Sequence, residues 1–184
     1  MKKALLVIDV QNEYFSGKLP VSYPQDSIDN ILKVIDSAHK AGIFTIFVQH
    51  FSSATNAKAF VKESDEWELH PEIKKRKCQA LIEKNYPGSF TGTNLDEILK
   101  GKGIDTVVIC GYMTQTCCDT TSRQAFHLFY NVEFLSDATG TLDIDNYAGS
   151  VKAETLHNTI LVIQASRFSR VLTTEEWIND IAKC

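Results

Sequence analysis

At residues 106–111 the sequence reads Thr-Val-Val-Ile-Cys-Gly, a run of five residues typical of a buried β-strand with a glycine that ends it. A second apolar run covers Ala4–Val10 and is interrupted only by Asp9. Runs this short, apolar on both sides, are typical of strands covered on both faces. The other strand patterns are weaker or shorter: Ile43–Val48, Ala80–Ile82 and Val132–Leu135.

Helical patterns separate these strands. Apolar residues form one helical stripe between Asp26 and Ala41, and Thr93 or Asn94 can begin a helix that Gly101 closes. A third helix is expected from about residue 115 to residue 128. Strands that alternate with helices predict a parallel α/β sheet with right-handed crossovers and helices on both sides.

Two stretches are less regular. Residues 50–77 are polar and aperiodic, which predicts loops and short helices rather than core. Residues 159–163, Thr-Ile-Leu-Val-Ile, have strand propensity but also continue a possible helix that begins at Tyr147. Periodicity alone does not separate these two interpretations.

Composition limits the class of protein. The 184 residues favour a single domain, 1–184, and 19 basic against 23 acidic residues give a net charge of −4. This balance argues against nucleic acid as a partner, and no apolar run reaches the roughly 20 residues of a membrane span. The odd number of cysteines, five, and the lack of a CxxC motif argue against both a disulfide framework and structural zinc. We therefore expect a cytoplasmic protein with no membrane association.

The ends of the predicted strands are the places to look for chemistry, because ligands bind beyond the carboxyl ends of strands in such sheets. The polar and cysteine-containing segments there are Asp9–Gln11, Gln49–His50, the region of Lys84, Cys110–Cys118 and Asp137. A cysteine where a strand gives way to a helix meets unpaired N–H groups, which lower a thiol pKa and can hold an oxyanion. Alternatively, Cys117 and Cys118 are small buried hydrophobic residues.

Four segments together carry a family resemblance. Residues 107–125 contain G-x-x-T-x-x-C followed by T-x-R-x-A, and residues 6–15 contain D-x-Q with an aromatic residue after it. Lys84 precedes S-F-x-x-T-x-L at residues 89–95, and an acidic turn begins at Asp137. In this order, over about residues 3–178, the set resembles the isochorismatase-like cysteine hydrolases.

The resemblance implies a fold and a site. The fold is a three-layer α-β-α sandwich around a mostly parallel, Rossmann-like sheet of about six strands, with residues 147–165 helical and residues 168–172 as the last strand. The catalytic triad is Asp9, Lys84 and Cys117, and Cys118 occupies a position that is usually apolar. A cis peptide would join Tyr112 to Met113 and direct the N–H groups of Met113 and Cys117 toward an oxyanion.

The implied reaction is hydrolysis of a C–N bond in a small molecule through a Cys117 thioester, with Asp9 as acid and base and Lys84 as electrostatic partner. His50 has no aspartate or histidine partners of the kind that bind metal in the nicotinamidases, so we expect neither metal nor cofactor. The family also suggests a homo-oligomer, a dimer or tetramer. Candidate pocket residues are Gln11, Tyr14, Phe15, His50, Phe51, Trp67, Phe90 and Tyr112.

Two other functions stay open. The adjacent thiols of Cys117 and Cys118 suggest a redox protein, although a disulfide between neighbours is strained. A catalytically silent ligand-binding protein with the same fold is the other alternative.

Overall fold

In a computed structural model that describes residues 1–183, six parallel strands form the central sheet. The described residues contain eight strands: β1 (Lys3–Ile8), β2 (Phe44–His50), β3 (Ala80–Lys84), β4 (Thr106–Tyr112), β5 (Asn131–Gly140), β6 (Ile144–Asn146), β7 (Gly149–Val151) and β8 (Arg170–Leu172). The order in the sheet is β3-β2-β1-β4-β5-β8, and every neighbouring pair is parallel. Strands β6 and β7 form a separate antiparallel hairpin.

Within residues 1–183, six α-helices accompany the strands: α1 (Ser27–Lys40), α2 (Pro71–Lys74), α3 (Leu95–Gly101), α4 (Asp119–His127), α5 (Ala153–Ile163) and α6 (Thr174–Ile181). Two π-helical turns, at Thr114–Cys118 and Gln164–Phe168, precede α4 and follow α5. No helix in the described part of the chain has the length and apolar character needed to cross a membrane.

The sheet separates two hydrophobic clusters, because side chains alternate between the faces of each strand. Leu5 and Val7 of β1 face the cluster that contains residues of α1 and α6, whereas Leu6 and Ile8 face residues of α3 and α4. All four side chains are buried. The predicted three-layer α-β-α sandwich around a six-stranded parallel sheet is therefore confirmed.

The expectation for residues 147–165 is wrong at its beginning. Residues 144–151 form the β6–β7 hairpin, so α5 begins only at Ala153, although residues 159–163 are helical as the resemblance implied. The last strand begins at Arg170 rather than at residue 168, because the π turn Gln164–Phe168 comes between. Helix α6, for which the sequence analysis made no prediction, begins with a capping box at Thr173 and Glu176.

The centre of the sheet brings the ends of β1 and β4 together. Ile8 of β1 pairs with Gly111 of β4, and a Cβ atom on Gly111 would lie 2.0 Å from the carbonyl oxygen of Ile8. Gly111 also has a φ of 115°, which side-chain-bearing residues rarely adopt. Only glycine fits here, so Gly111 sets how closely the two strands approach. It does not end β4 as the sequence pattern suggested, because the strand continues to Tyr112.

Candidate active site

Three side chains from three different strand ends meet at the carboxyl edge of the sheet. The Nζ atom of Lys84 lies 2.7 Å from Oδ2 of Asp9 and 3.3 Å from Sγ of Cys117. The Asp9 and Lys84 side chains are fully buried, and Cys117 is 5% exposed. The three residues expected from the resemblance as a triad are thus adjacent in the structure.

Asp9 is the first residue after β1 and leaves the extended conformation there. Its φ of 52° is left-handed, which costs a residue other than glycine about 1 kcal/mol or more but is tolerated best by Asp and Asn. The N–H of Asp9 still donates to the carbonyl of Val48 in β2, at 2.9 Å. Oδ1 of Asp9 is buried and has no hydrogen-bond partner, which leaves one carboxylate oxygen free to accept a proton.

Lys84 is the last residue of β3 and is paired in register with His50 at the end of β2. The Nδ1 atom of His50 lies 3.4 Å from Nζ of Lys84. An ammonium group has three N–H donors and no acceptor, so Asp9, Cys117 and His50 can take all three. This arrangement requires a neutral His50 with its Nδ1 lone pair directed at the ammonium.

Cys117 lies in the π turn Thr114–Cys118, immediately before α4. The carbonyl of Met113 accepts hydrogen bonds from the N–H groups of Thr116, at 3.1 Å, and Cys118, at 3.2 Å. The peptide bond between Tyr112 and Met113 is cis, as the resemblance implied. Single π turns of this kind are common at functional sites.

The segment after β3 is attached to α4, which links the position of Lys84 to that of Cys117. The hydroxyl of Thr121 accepts from the N–H of Ser89 at 3.0 Å and lies 2.9 Å from the Ser89 hydroxyl. Gln124 of α4 also lies close to this segment, since a Cβ atom at Gly88 would come within 2.2 Å of the end of its side chain. The S-F segment and the T-x-R segment of the sequence are therefore neighbours in space.

Burial determines the charge state of the site. Burial and, less strongly, the Asp9 carboxylate raise the pKa of the Cys117 thiol well above its usual range, and Lys84 offsets only part of this. Burial opposes the charge on Lys84, but Asp9 and Cys117 outweigh it, so the pKa of Lys84 is raised. The resting site is therefore an Asp9–Lys84 ion pair beside a neutral thiol.

The raised pKa of the Cys117 thiol contradicts the expectation from the sequence. The position of Cys117 before a helix, near Lys84, predicted a thiolate formed at lower pH than in a model thiol. The structure places the sulfur where water is excluded and where a second negative charge would face Asp9, so the pKa shifts in the opposite direction. The resting Cys117 thiol is therefore protonated.

Aromatic rings surround the site on one side. Tyr14 packs edge-on against Phe60 and Tyr112, with ring centroids 5.3 Å and 5.5 Å away, and Phe60 packs edge-on against His50. Burial raises the pKa of the Tyr14 hydroxyl, and negative charge on Cys117 or Asp9 would raise this pKa further. Phe60 was not among the candidates, because its aperiodic loop carries no pattern that identifies it.

Tyr112 contributes its ring to this wall but not its hydroxyl. The Tyr112 hydroxyl lies 3.0 Å from that of Ser27 at the start of α1. Phe15 packs against the ring of Tyr112, at 5.7 Å, and against that of His70, at 4.3 Å. Tyr112 packs against Tyr14, and Phe15 packs against Tyr112, so both residues support the position of Tyr14.

The side chain of Gln11 links two segments of the chain, at His50 and at Trp67, by hydrogen bonds. Its Nε2 atom donates to the carbonyls of His50, at 2.9 Å, and Trp67, at 2.6 Å, and its Oε1 atom accepts from the N–H of His50 at 2.8 Å. Gln11 is fully buried. Its side chain thus holds the end of β2 and the segment that carries Trp67, and all these polar groups are satisfied within the chain.

The remaining candidates differ in position. Nε1 of Trp67 is buried without a hydrogen-bond partner, and the Nζ atom of Lys62 lies over the rings of both Trp67 and Phe51. Phe90 stacks on Tyr130, at 6.0 Å, and packs with the cluster under α3 and α4 instead of with Tyr14. The ring contacts of Phe90 therefore place it away from the aromatic wall.

Cys118 differs from Cys117 in burial and in contacts, since the hydrogen bond with Lys84 is made by Cys117. The side chain of Cys118 is fully buried in the cluster beneath α4, and burial raises the pKa of its thiol well above the usual range. Within residues 1–183, no group of three or more His, Cys, Asp or Glu side chains is placed to hold a metal ion. The expectation that no metal or cofactor is used stays a prediction.

Comparison with known proteins identifies the family and the fold. The family model of the isochorismatase domain matches residues 3–176. The crystal structure of a putative isochorismatase from Burkholderia xenovorans LB400 superimposes with a TM-score of 0.95 and 42% identity, over 98% of this chain and 88% of that one. N-carbamoylsarcosine amidase from Thermoplasma acidophilum is 26% identical, with a TM-score of 0.81, over 96% of this chain and 98% of that one. The ureidoacrylate amidohydrolase RutB of Variovorax paradoxus is 30% identical over 76% of this chain and 69% of its own length.

Proposed function

Because the chain belongs to the isochorismatase domain family, we propose that it is a cysteine hydrolase that cleaves a C–N bond of an amide, carbamoyl or ureido group in a small molecule. The observation that carries the proposal is the buried Asp9–Lys84 ion pair in contact with Cys117. A buried ion pair is a weak source of stability, since desolvation offsets much of the attraction. Its presence beside a cysteine therefore favours a chemical role.

In the first half of the reaction, Oδ1 of Asp9 accepts the thiol proton as the sulfur attacks the carbonyl carbon. The Nζ atom of Lys84, 3.3 Å from the sulfur, stabilises the negative charge that forms there. The N–H groups of Met113 and Cys117 hold the oxyanion of the tetrahedral intermediate. Asp9 then returns the proton to the leaving nitrogen, which departs as ammonia or an amine and leaves an acyl group on Cys117.

In the second half, Asp9 removes a proton from water, and the resulting hydroxide attacks the thioester carbonyl. Collapse of this intermediate releases the carboxylic or carbamic acid and returns the proton to the sulfur. Every proton transfer uses Asp9, whose Oδ1 has no competing partner. The neutral resting thiol fits this scheme, because the thiol then carries the proton that the ionised Asp9 is to accept.

The names of the relatives support a C–N substrate but do not identify it. N-carbamoylsarcosine amidase and ureidoacrylate amidohydrolase are named for carbamoyl and ureido substrates. The aromatic wall of Tyr14, Phe60 and Tyr112 favours a small substrate with an apolar or planar part. The single polar group that this wall adds is the Tyr14 hydroxyl, which we propose as a donor to the substrate.

The test is a screen of primary amides, carbamoyl compounds and ureido compounds for ammonia release, with the C117S variant as control. With the best substrate, rapid acid quench and mass spectrometry should find one acyl group on the peptide that contains Cys117. An acyl group on another residue would refute the assignment of the nucleophile. Absence of turnover with every compound would favour the catalytically silent alternative.

The redox alternative has less support. Both cysteines lie in the packed cluster that includes residues of α4, but Cys118 is fully buried and only Cys117 is hydrogen-bonded with Lys84. Reversible loss of both thiols on mild oxidation, together with no hydrolysis, would favour it.

A further inference from the structure

A buried histidine outside the triad is attached to the turn that carries Cys117. His157 of α5 is 2% exposed, and its Nδ1 atom lies 2.8 Å from the hydroxyl oxygen of Thr114, the first residue of the π turn. Its Nε2 atom lies 2.9 Å from the carbonyl oxygen of Ser136 in β5. The ring of Tyr23 packs edge-on against the imidazole. None of these contacts takes part in the chemical steps above.

The partners determine the protonation of the ring. A carbonyl oxygen only accepts, so Nε2 of His157 carries the proton and donates it to Ser136. In the neutral ring Nδ1 then has a lone pair, and the Thr114 hydroxyl must be the donor to it. Burial lowers the pKa of His157, an effect that the bond to Ser136 only partly opposes, so the ring is neutral at pH 7. The direction of both hydrogen bonds is therefore determined.

The π turn has few other side-chain attachments at its start. Its main-chain bonds run from Thr116 and Cys118 to the carbonyl of Met113. The bond between Thr114 and His157 connects the first residue of the turn to α5 and, through Ser136, to β5. Cys117 lies three residues later in the same turn, and a shift of about 1 Å in a reacting group can lower the rate about a hundredfold.

We infer that His157 is a positioning residue, whose neutral imidazole holds Thr114 and thereby fixes Cys117 relative to Asp9 and Lys84. The inference rests on the proposed function. It assigns His157 no contact with the substrate. It predicts that removal of the Thr114 hydroxyl and replacement of His157 affect the same step and are not additive.

The first experiment compares Thr114→Val with Thr114→Ser. Valine keeps the shape of threonine but leaves Nδ1 of His157 without its donor, so we expect kcat to fall at least about tenfold while KM changes less than about threefold. Serine keeps the hydroxyl, and we expect its kcat within about threefold of the wild-type value. The control is Thr106→Val, which removes a buried hydroxyl at the opposite end of β4 and should leave kcat unchanged.

The second experiment replaces His157. Asparagine places its amide near the position of Nδ1 and can still accept from Thr114, whereas glutamine reaches the position of Nε2. His157→Asn should therefore keep more activity than His157→Gln, and Thr114→Val combined with His157→Gln should lose no more kcat than the worse single variant. Circular dichroism and melting curves identify any variant that does not fold. If a variant of one residue fails to fold, the comparison of the two variants at the other residue, Thr114 or His157, tests the inference.

A third measurement does not depend on a substrate. Iodoacetamide labelling of Cys117, followed by peptide mass spectrometry, should change in rate at least about threefold in Thr114→Val, in either direction, and not in Thr114→Ser or Thr106→Val. If wild-type protein hydrolyses nothing, the proposed function fails, but the labelling rates still test the inference. Any of three results would overturn the inference. They are equal labelling rates in all variants, a loss of kcat in the double variant that equals the product of the two single losses, and an NMR signal that shows the proton on Nδ1 of His157.

Discussion

Replacement of Lys84 by methionine tests the buried ion pair directly. Nζ of Lys84 and Oδ2 of Asp9 are 2.7 Å apart, and both side chains are fully buried. Methionine has similar volume but no charge, so Asp9 would keep a buried carboxylate without a cation. Loss of one partner from such a pair costs about 3–5 kcal/mol, which for a chain of 150–250 residues lowers Tm by roughly 6–20 °C at about 2–4 °C per kcal/mol. Hydrolysis should be abolished.

Two further variants make the result specific. Lys100→Met removes a cation from an ion pair of the same length, 2.7 Å, but with side chains that are 64% and 31% exposed. Its cost should be at most about 1 kcal/mol, because water already solvates both charges. The double variant Asp9→Asn with Lys84→Met should melt above Lys84→Met, since no unpaired charge is then buried, and should stay inactive.

The assays are differential scanning calorimetry and ammonia release, measured on the same preparations. If Lys84→Met melts within about 2 °C of the wild type, the carboxylate is not desolvated as the structure indicates. If the double variant is no more stable than Lys84→Met, the loss comes from packing and not from charge. Either outcome would refute the electrostatic reasoning, and activity in Lys84→Met would refute the proposed role of Lys84.

Three more predictions follow from the site. Cys117→Ser should abolish hydrolysis while Cys118→Val keeps most of it, because only the Cys117 sulfur contacts Lys84. If Cys117→Ser is active and Cys118→Val is inactive, the nucleophile is Cys118. Burial and Lys84 lower the pKa of His50 below its usual value, so His50 is neutral at pH 7. Activity should fall as acid protonates His50 and removes the acceptor for Lys84, and in His50→Asn the acid side of the pH–rate profile should move to lower pH; an unchanged profile would count against this role. Addition of EDTA or zinc should leave activity unchanged, and a stoichiometric metal lost together with activity would contradict the prediction of no metal.

The resemblance and the structure agree best where the chain follows strands of the sheet. Apolar runs identified β1 and β4 because a strand covered on both faces has no place for polar residues. Asp9 and Lys84 lie at strand ends, and parallel strands bring their carboxyl ends to one edge, so their proximity follows from the pattern once the strand order is known. The expected dimer or tetramer and the cytoplasmic location stay predictions.

Irregular segments were predicted less well. Residues 147–151, the second half of the β6–β7 hairpin, were expected to be helical, because they carry no alternation of apolar and polar side chains that would mark a strand. Phe60 lies in the aperiodic segment between β2 and β3, and its position beside His50 depends on contacts with residues distant in the sequence. One of them is the buried carboxylate of Glu13, which accepts from the N–H of Phe60 at 3.2 Å.

The sequence by itself determined the class of fold and the strand ends where ligands bind, because both depend on local patterns of apolar residues. The set of Asp9, Lys84 and Cys117 came from the resemblance to a family, carried by the motifs around these residues. The tertiary structure alone decided the protonation of the site and the attachment of its turn. The sequence predicted a lowered pKa for the Cys117 thiol, because the residue precedes a helix and lies near a lysine. In the structure, burial and the Asp9 carboxylate raise this pKa instead. Thr114 and His157 are 43 residues apart, and only packing of α5 against the sheet brings them within hydrogen-bond distance.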